Sequence, residues 1–195
     1  MQSEMIEMMV RGLMLVIVLL FYVAYLLKAM LLARQGIKVN FLGDEKQDKK
    51  TVLFEWVLRV ITGVGAFFQF VLPFFVNSGP LALSVVGLMI ASFGTGIFVV
   101  AVRTMRNNWR VGFGEEQVTE LVTTGIYRYS RNPAFVGFDC LYVGIAMVFP
   151  NLLTLLLAIS ALVLFHFQIK QEETYLLTEF GESYRNYQQK VRKYL

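Results

Sequence analysis

The feature that most constrains this chain is the recurrence of apolar runs of membrane-crossing length. Residues 8–33, 52–76 and 81–102 each reach the roughly 20 apolar residues that a helix needs to cross the hydrocarbon core. Two shorter runs, 134–149 and 152–167, meet at Pro150-Asn151. In hydrocarbon every backbone N–H and C=O must be satisfied within the structure, so such runs fold as helices. Composition agrees: 56% of the residues are hydrophobic and 16% charged, against about 45–50% and about 25% in soluble domains. The expectation is an all-α integral membrane protein with five transmembrane helices, the last two forming a C-terminal helical hairpin. It forms a single domain over residues 1–195, with a three-helix part at 1–105 and a second part at 106–195.

The first run carries only Arg11 and Lys28, near its ends, where long side chains can snorkel. Its length, and the lack of a small-residue cleavage site after it, predict a retained helix and not a signal peptide. In the second run Glu55 and Arg59 share a helical face, which predicts an ion pair near the inner surface. Gly87, Gly94 and Gly96 in the third run predict close helix packing. The lone cysteine, Cys140, lies in an apolar run and reads as a buried, inert thiol. The fifth run is expected to continue as helix through polar residues 168–180 and to stop at Gly181. Residues 182–195, rich in Lys and Arg, would then lie on the membrane surface.

Charge placement sets the topology. Of 18 Lys and Arg, five lie in 34–50, five in 103–131 and five in 170–193, and the other two loops have none. The positive-inside rule then places the N-terminus outside and the C-terminus in the cytoplasm, with Trp56 and Trp109 at the inner interface. The net charge of +4 is therefore topological and does not point to nucleic acid.

Residues 103–132 form a connection much longer than a structural loop needs to be, with an acidic Glu115-Glu116 midway. It ends in Asn132-Pro133, a helix start with Asn as the N-cap and Pro at the first helical position. Arg131 beside a helix N-terminus suits a carboxylate or phosphate. Tyr127, Tyr129, Phe135, Tyr184 and Tyr187 can sandwich a flat ring. Glu172 and Glu173 can accept from an amine, a ribose hydroxyl or a cation. A cytoplasmic-face pocket of this make-up suits a cationic nucleoside such as S-adenosylmethionine.

Residues 125–137, Gly-Ile-Tyr-Arg-Tyr-Ser-Arg-Asn-Pro-Ala-Phe-Val-Gly, are followed by Glu172-Glu173, Leu177, Phe180-Gly181, Tyr184 and Tyr187. Together they resemble the C-terminal signature of the isoprenylcysteine carboxyl methyltransferase and phospholipid methyltransferase group of integral membrane enzymes. The resemblance covers about residues 108–195. It implies methyl transfer from S-adenosylmethionine to a lipid-like acceptor that comes from the bilayer through a tunnel. It further implies donor contacts from Leu121, Val122 and Gly125, one wall from Tyr127, Arg131, Asn132, Pro133, Phe135 and Gly137, and the other from Glu172, Glu173, Tyr184 and Tyr187. Two departures stand out: Asn132 replaces a common histidine, and the last span ends Leu164-Phe-His166-Phe-Gln168-Ile-Lys170, without the arginines that face a carboxylate in the prenylcysteine enzymes.

Methyl transfer needs alignment and water exclusion more than acid–base chemistry, since the donor is already activated. His166 at the inner end of the fifth span, Asp139 inside the fourth and Arg110 beside Trp109 are the residues that can act on the acceptor. A membrane reductase using NADPH, related to the sterol reductases, and a non-enzymatic membrane protein are the alternative readings.

Overall fold

The computed structural model describes residues 1–40, 49–111 and 120–195. Among these the chain is helical throughout: α1 (Gln2–Arg34), α2 (Lys49–Phe75), α3 (Leu81–Thr104), α4 (Pro133–Val148) and α5 (Leu152–Lys190). Two short 3₁₀ turns, Arg106–Asn108 and Gly125–Arg128, lie between α3 and α4. Glu115 and Glu116 fall outside the described residues.

α1, α2, α3 and α5 are long and apolar enough to cross a membrane. α4 has 16 residues, a length of roughly 24 Å, short of the roughly 30 Å hydrocarbon thickness. α5 is the opposite case. Its 39 residues are broken at Gly181, and the straight part, 152–180, spans roughly 44 Å, about one and a half times that thickness. Its apolar part is 152–167, so the polar part from Gln168 onward projects beyond the hydrocarbon.

α3 and α4 make the tightest contact, through opposed glycines. A Cβ at Gly87 would sit 2.6 Å from the Gly144 carbonyl oxygen, and one at Gly137 would sit 2.8 Å from that of Gly94. Nothing larger than a hydrogen fits between these backbones. Gly96, expected to share this role, faces open space instead. Cys140 also meets α3 here, beside Gly94.

An aromatic cluster fixes α1 across this pair. Phe21 stacks on Phe98 at 4.4 Å and meets Phe138 edge-on at 4.8 Å. Trp109 is buried against Tyr25 at 5.3 Å, so of the two tryptophans only Trp56 is exposed as an interfacial anchor would be. α4 and α5 run antiparallel, with Phe135 and Phe138 of α4 both against Phe165 of α5. Their turn is closed by a capping box: Asn151 Oδ1 accepts from the Thr154 N–H while Thr154 Oγ1 accepts from the Asn151 N–H.

The expected stop at Gly181 is a kink. Its backbone is left-handed (φ 50°, ψ −124°) with open space where a Cβ would be, and the helix resumes to Lys190. The change of direction swings Tyr184 and Tyr187 back onto the 127–131 segment, where both are buried. The segment expected on the membrane surface is therefore held against the 127–131 segment by its two tyrosines.

Candidate functional site

The residues expected to form two facing walls do come together, but they bind one another. Arg131 donates from Nε and Nη2 to Glu173 Oε1 at 3.0 and 2.8 Å, and Asn132 Nδ2 reaches the same oxygen at 3.3 Å. The second carboxylate oxygen takes the Lys193 ammonium at 2.8 Å. Arg131 Nη1 also donates to the carbonyls of Gln188 and Val191. Burial pushes the Glu173 carboxyl upward, but the hydrogen bonds and charges of Lys193 and Arg131 outweigh it and hold the group below the usual glutamate range.

Residues 191–195 thus form a strap across the start of α4. The Arg131 N–H donates to the Arg192 carbonyl at 2.9 Å, and Ser130 Oγ and Asn132 Nδ2 both donate to the Lys193 carbonyl. Asn132 holds the N-cap position of α4 with Pro133 behind it, yet its side chain caps nothing and is spent on the strap and Glu173. The open anion site expected at Arg131 is filled by these partners. Sequence reasoning missed the strap because its basic residues look like any cytoplasmic tail.

The tyrosines are likewise engaged. Tyr187 donates to the Tyr127 carbonyl at 2.6 Å, and Tyr184 packs against Tyr187 at 6.0 Å. Desolvation keeps the Tyr127 and Tyr184 hydroxyls well above the ordinary tyrosine range, hence neutral. Tyr129 is exposed and joins no ring sandwich. Gly137 faces α3 and belongs to helix packing instead of a pocket wall. Leu121 and Val122 are half-buried in the approach to the turn that Gly125 opens, and a Cβ at Gly125 would meet Thr104.

Beside this knot lies a cavity of about 260 Å³ lined by residues of all five helices and of the segment after α3. Its interior is largely aromatic and apolar, with Tyr22, Leu58, Ala66, Phe98, Phe138 and Phe165 among its walls. Arg59, Arg110 and Glu172 give one end its charge, and Phe135 stands between that end and the interior. Arg110 donates from Nη1 to the carbonyls of Asn107 and Trp109, while its buried Nε meets no acceptor among the described residues. Arg59 reaches toward Asn40 Oδ1 at 3.5 Å. Glu172 accepts from Gln168 at 3.4 Å, and burial pushes its carboxyl up to about 8.

Of the three residues expected to act on the acceptor, only Arg110 lines the cavity. His166 is turned to the strap, its Nδ1 sharing a proton with the Tyr194 hydroxyl at 2.6 Å. Asp139 is half-buried in α4 with Oδ1 lacking a partner among the described residues, and it too is outside the cavity lining. The wall residues from α1 and α2 were not foreseen. The one signal for them is the spacing Leu58, Thr62, Ala66, a helical face that thins toward its small end.

Residues 82–183 match the family model for phospholipid methyltransferase, so the chain belongs to that family of methyltransferases. Among its relatives is a protein-S-isoprenylcysteine O-methyltransferase of Schizosaccharomyces pombe, 45% identical over 74 residues that cover 36% of this chain and 30% of the relative. Another of the same name, from Dictyostelium discoideum, is 31% identical over 121 residues, covering 60% of this chain and 51% of the relative. A third, from Xenopus laevis, is 32% identical over 112 residues, covering 56% and 39%. The chain thus spans between about a third and a half of the curated relatives it matches. No solved structure matches it significantly.

Proposed function

We propose that this protein transfers a methyl group from S-adenosylmethionine to the carboxylate of an isoprenylated, lipid-like acceptor drawn from the bilayer. The observation that carries this reading is the cavity: an apolar, aromatic pocket with two arginines and a half-buried glutamate at one end. Such a site is complementary to an amphiphile with an anionic head. The relatives' name, protein-S-isoprenylcysteine O-methyltransferase, supports an isoprenylated acceptor.

The last span lacks arginines, and here Arg110 and Arg59 stand at the charged end of the cavity, from the segment after α3 and from α2. They would hold the acceptor carboxylate there by charge-assisted hydrogen bonds. For the donor, Arg131, Asn132 and Glu173 are committed to the strap, whereas Glu172 lines the cavity and accepts from Gln168. Glu172 fits the donor's positive charge, and Phe135 fits a contact between donor and acceptor. The chemistry S-adenosylmethionine brings when bound is a methyl group activated on a sulfonium. Its transfer makes a C–O bond as the C–S bond breaks, with no proton to remove. The chain's own task is to align the two reactants and keep water out, which the aromatic walls do. We place the donor site on the cytoplasmic face, with five membrane crossings and the N-terminus outside.

The test is calorimetric titration of detergent-purified protein with S-adenosylhomocysteine, run beside NADPH, in wild type and Glu172→Ala. Saturable binding of the former that weakens in the variant is expected. Binding of NADPH alone would sink the proposal.

A further inference from the structure

Going along each helix away from the charged end, the cavity lining reaches Tyr22 on α1, Ala66 on α2, Tyr142 on α4 and Phe165 on α5, with Phe98 contributed by α3. On α4 the lining runs from Ala134 to Tyr142, a depth of roughly 12 Å at the helical rise. Tyr142 is buried, and its ring leans across from α4 to α2 until the hydroxyl comes 3.5 Å from the Thr62 carbonyl.

That crossing depends on Gly65. A Cβ there would overlap the Tyr142 hydroxyl and sit 3.0 and 3.1 Å from Cε1 and Cζ of the ring. Glycine at this point of α2 is what leaves the phenol its place. From the α1 side, Tyr22 donates to Gln69 Oε1 at 3.0 Å and completes a polar floor beneath an apolar chamber.

We propose that Tyr142, seated by Gly65, is the specificity-determining residue that fixes how long an acceptor chain the enzyme takes. This rests on the reading of the cavity as the acceptor site. A chain that reaches the floor must stop or displace a phenol held between two helices. The two residues act in opposite directions. Tyr142→Ala removes the floor and admits longer chains; Gly65→Ala pushes the ring up into the cavity and favours shorter ones.

The experiment compares kcat/KM for the N-acetyl cysteine thioethers of geranyl, farnesyl and geranylgeranyl groups in wild type, Tyr142→Ala, Tyr142→Phe and Gly65→Ala. A difference of a few methylenes in an apolar pocket is worth about 10-fold or more in discrimination. Tyr142→Ala is therefore expected to shift the geranylgeranyl-to-geranyl ratio upward by about that factor, and Gly65→Ala to shift it downward. Tyr142→Phe keeps the ring and should leave the ratio near wild type. Ratios are compared only for variants that still bind S-adenosylhomocysteine, so a folding defect is not misread. Unchanged ratios in both Tyr142→Ala and Gly65→Ala would overturn the inference while leaving the acceptor cavity standing. If Gly63→Trp, which puts an indole into the cavity from a position between its two ends with open space over it, left all three acceptors methylated as before, the cavity reading itself would fall, and the inference with it.

Discussion

Replacing Glu173 by Gln should destabilise the protein far more than removing an exposed ion pair would. The Glu173 side chain is 9% exposed and that of Arg131 11%, while Lys193 is 27% exposed. Breaking a buried pair by removing one partner costs about 3–5 kcal/mol. Gln keeps one oxygen for Arg131 and Asn132, and Arg131 keeps its two backbone carbonyls, so the lower end, about 3 kcal/mol, applies. At roughly 2–4 °C per kcal/mol for a chain of this size, Tm should fall by roughly 6–12 °C. The buried Trp109 gives a fluorescence signal for thermal unfolding in detergent. Arg185→Gln is the internal control: it breaks the exposed Arg185–Glu182 pair and should cost about 0.5 kcal/mol or less. The pH dependence has a definite sign. Because the folded state holds the Glu173 carboxyl below its ordinary value of 4.5, its contribution is present above that value and lost as the pH falls through the lowered one. The gap between wild type and Glu173→Gln should therefore be full at pH 7 and close in acid. A Tm within a degree of wild type at pH 7, or a gap that widens in acid, would refute the reasoning.

Glu172 carries the opposite sign. Burial raises its folded value to about 8, so the wild type should lose stability as the pH rises from the ordinary carboxylate range through about 8. Glu172→Gln should hold its Tm across that window, as melting curves from pH 5 to 9 would show. Gly144→Ala places a methyl 2.6 Å from the Gly87 carbonyl oxygen, where backbone has no room to give, and should cost about 1–3 kcal/mol in thermal melts. The same change at Gly96, which faces open space, should be neutral or stabilising. Arg110→Ala should raise the acceptor KM about 10-fold or more, the loss expected when a charged hydrogen-bond donor is removed, while leaving the affinity for S-adenosylhomocysteine unchanged in calorimetry.

The helices were legible because apolar length and turn chemistry are local. Pro150-Asn151 and Asn132-Pro133 fall where the chain turns and where α4 begins. The glycine pairing was half legible: spacing alone could not say that Gly87 and Gly94 meet α4 while Gly96 looks outward. The meeting of Arg131 with Glu173 followed from the antiparallel course of α4 and α5. Their mutual saturation did not, because it depends on where the chain goes after the break at Gly181 and on Lys193, which carries no motif. The cavity was the least visible part. Its walls come from all five helices at positions ordinary for any membrane span, and only tertiary packing brings Tyr22, Ala66, Phe98, Tyr142 and Phe165 to one cavity.

The glycine contact between α3 and α4 also fixes one side of the cavity. Backbones touching carbonyl to Cα at two heights along their length cannot part by a small displacement without losing the whole contact, so these helices form a fixed backboard to the cavity. On the other side of the cavity, Gly63 of α2 has no packed atom over it, so the wall opposite the backboard has room there that α3 and α4 lack where they touch.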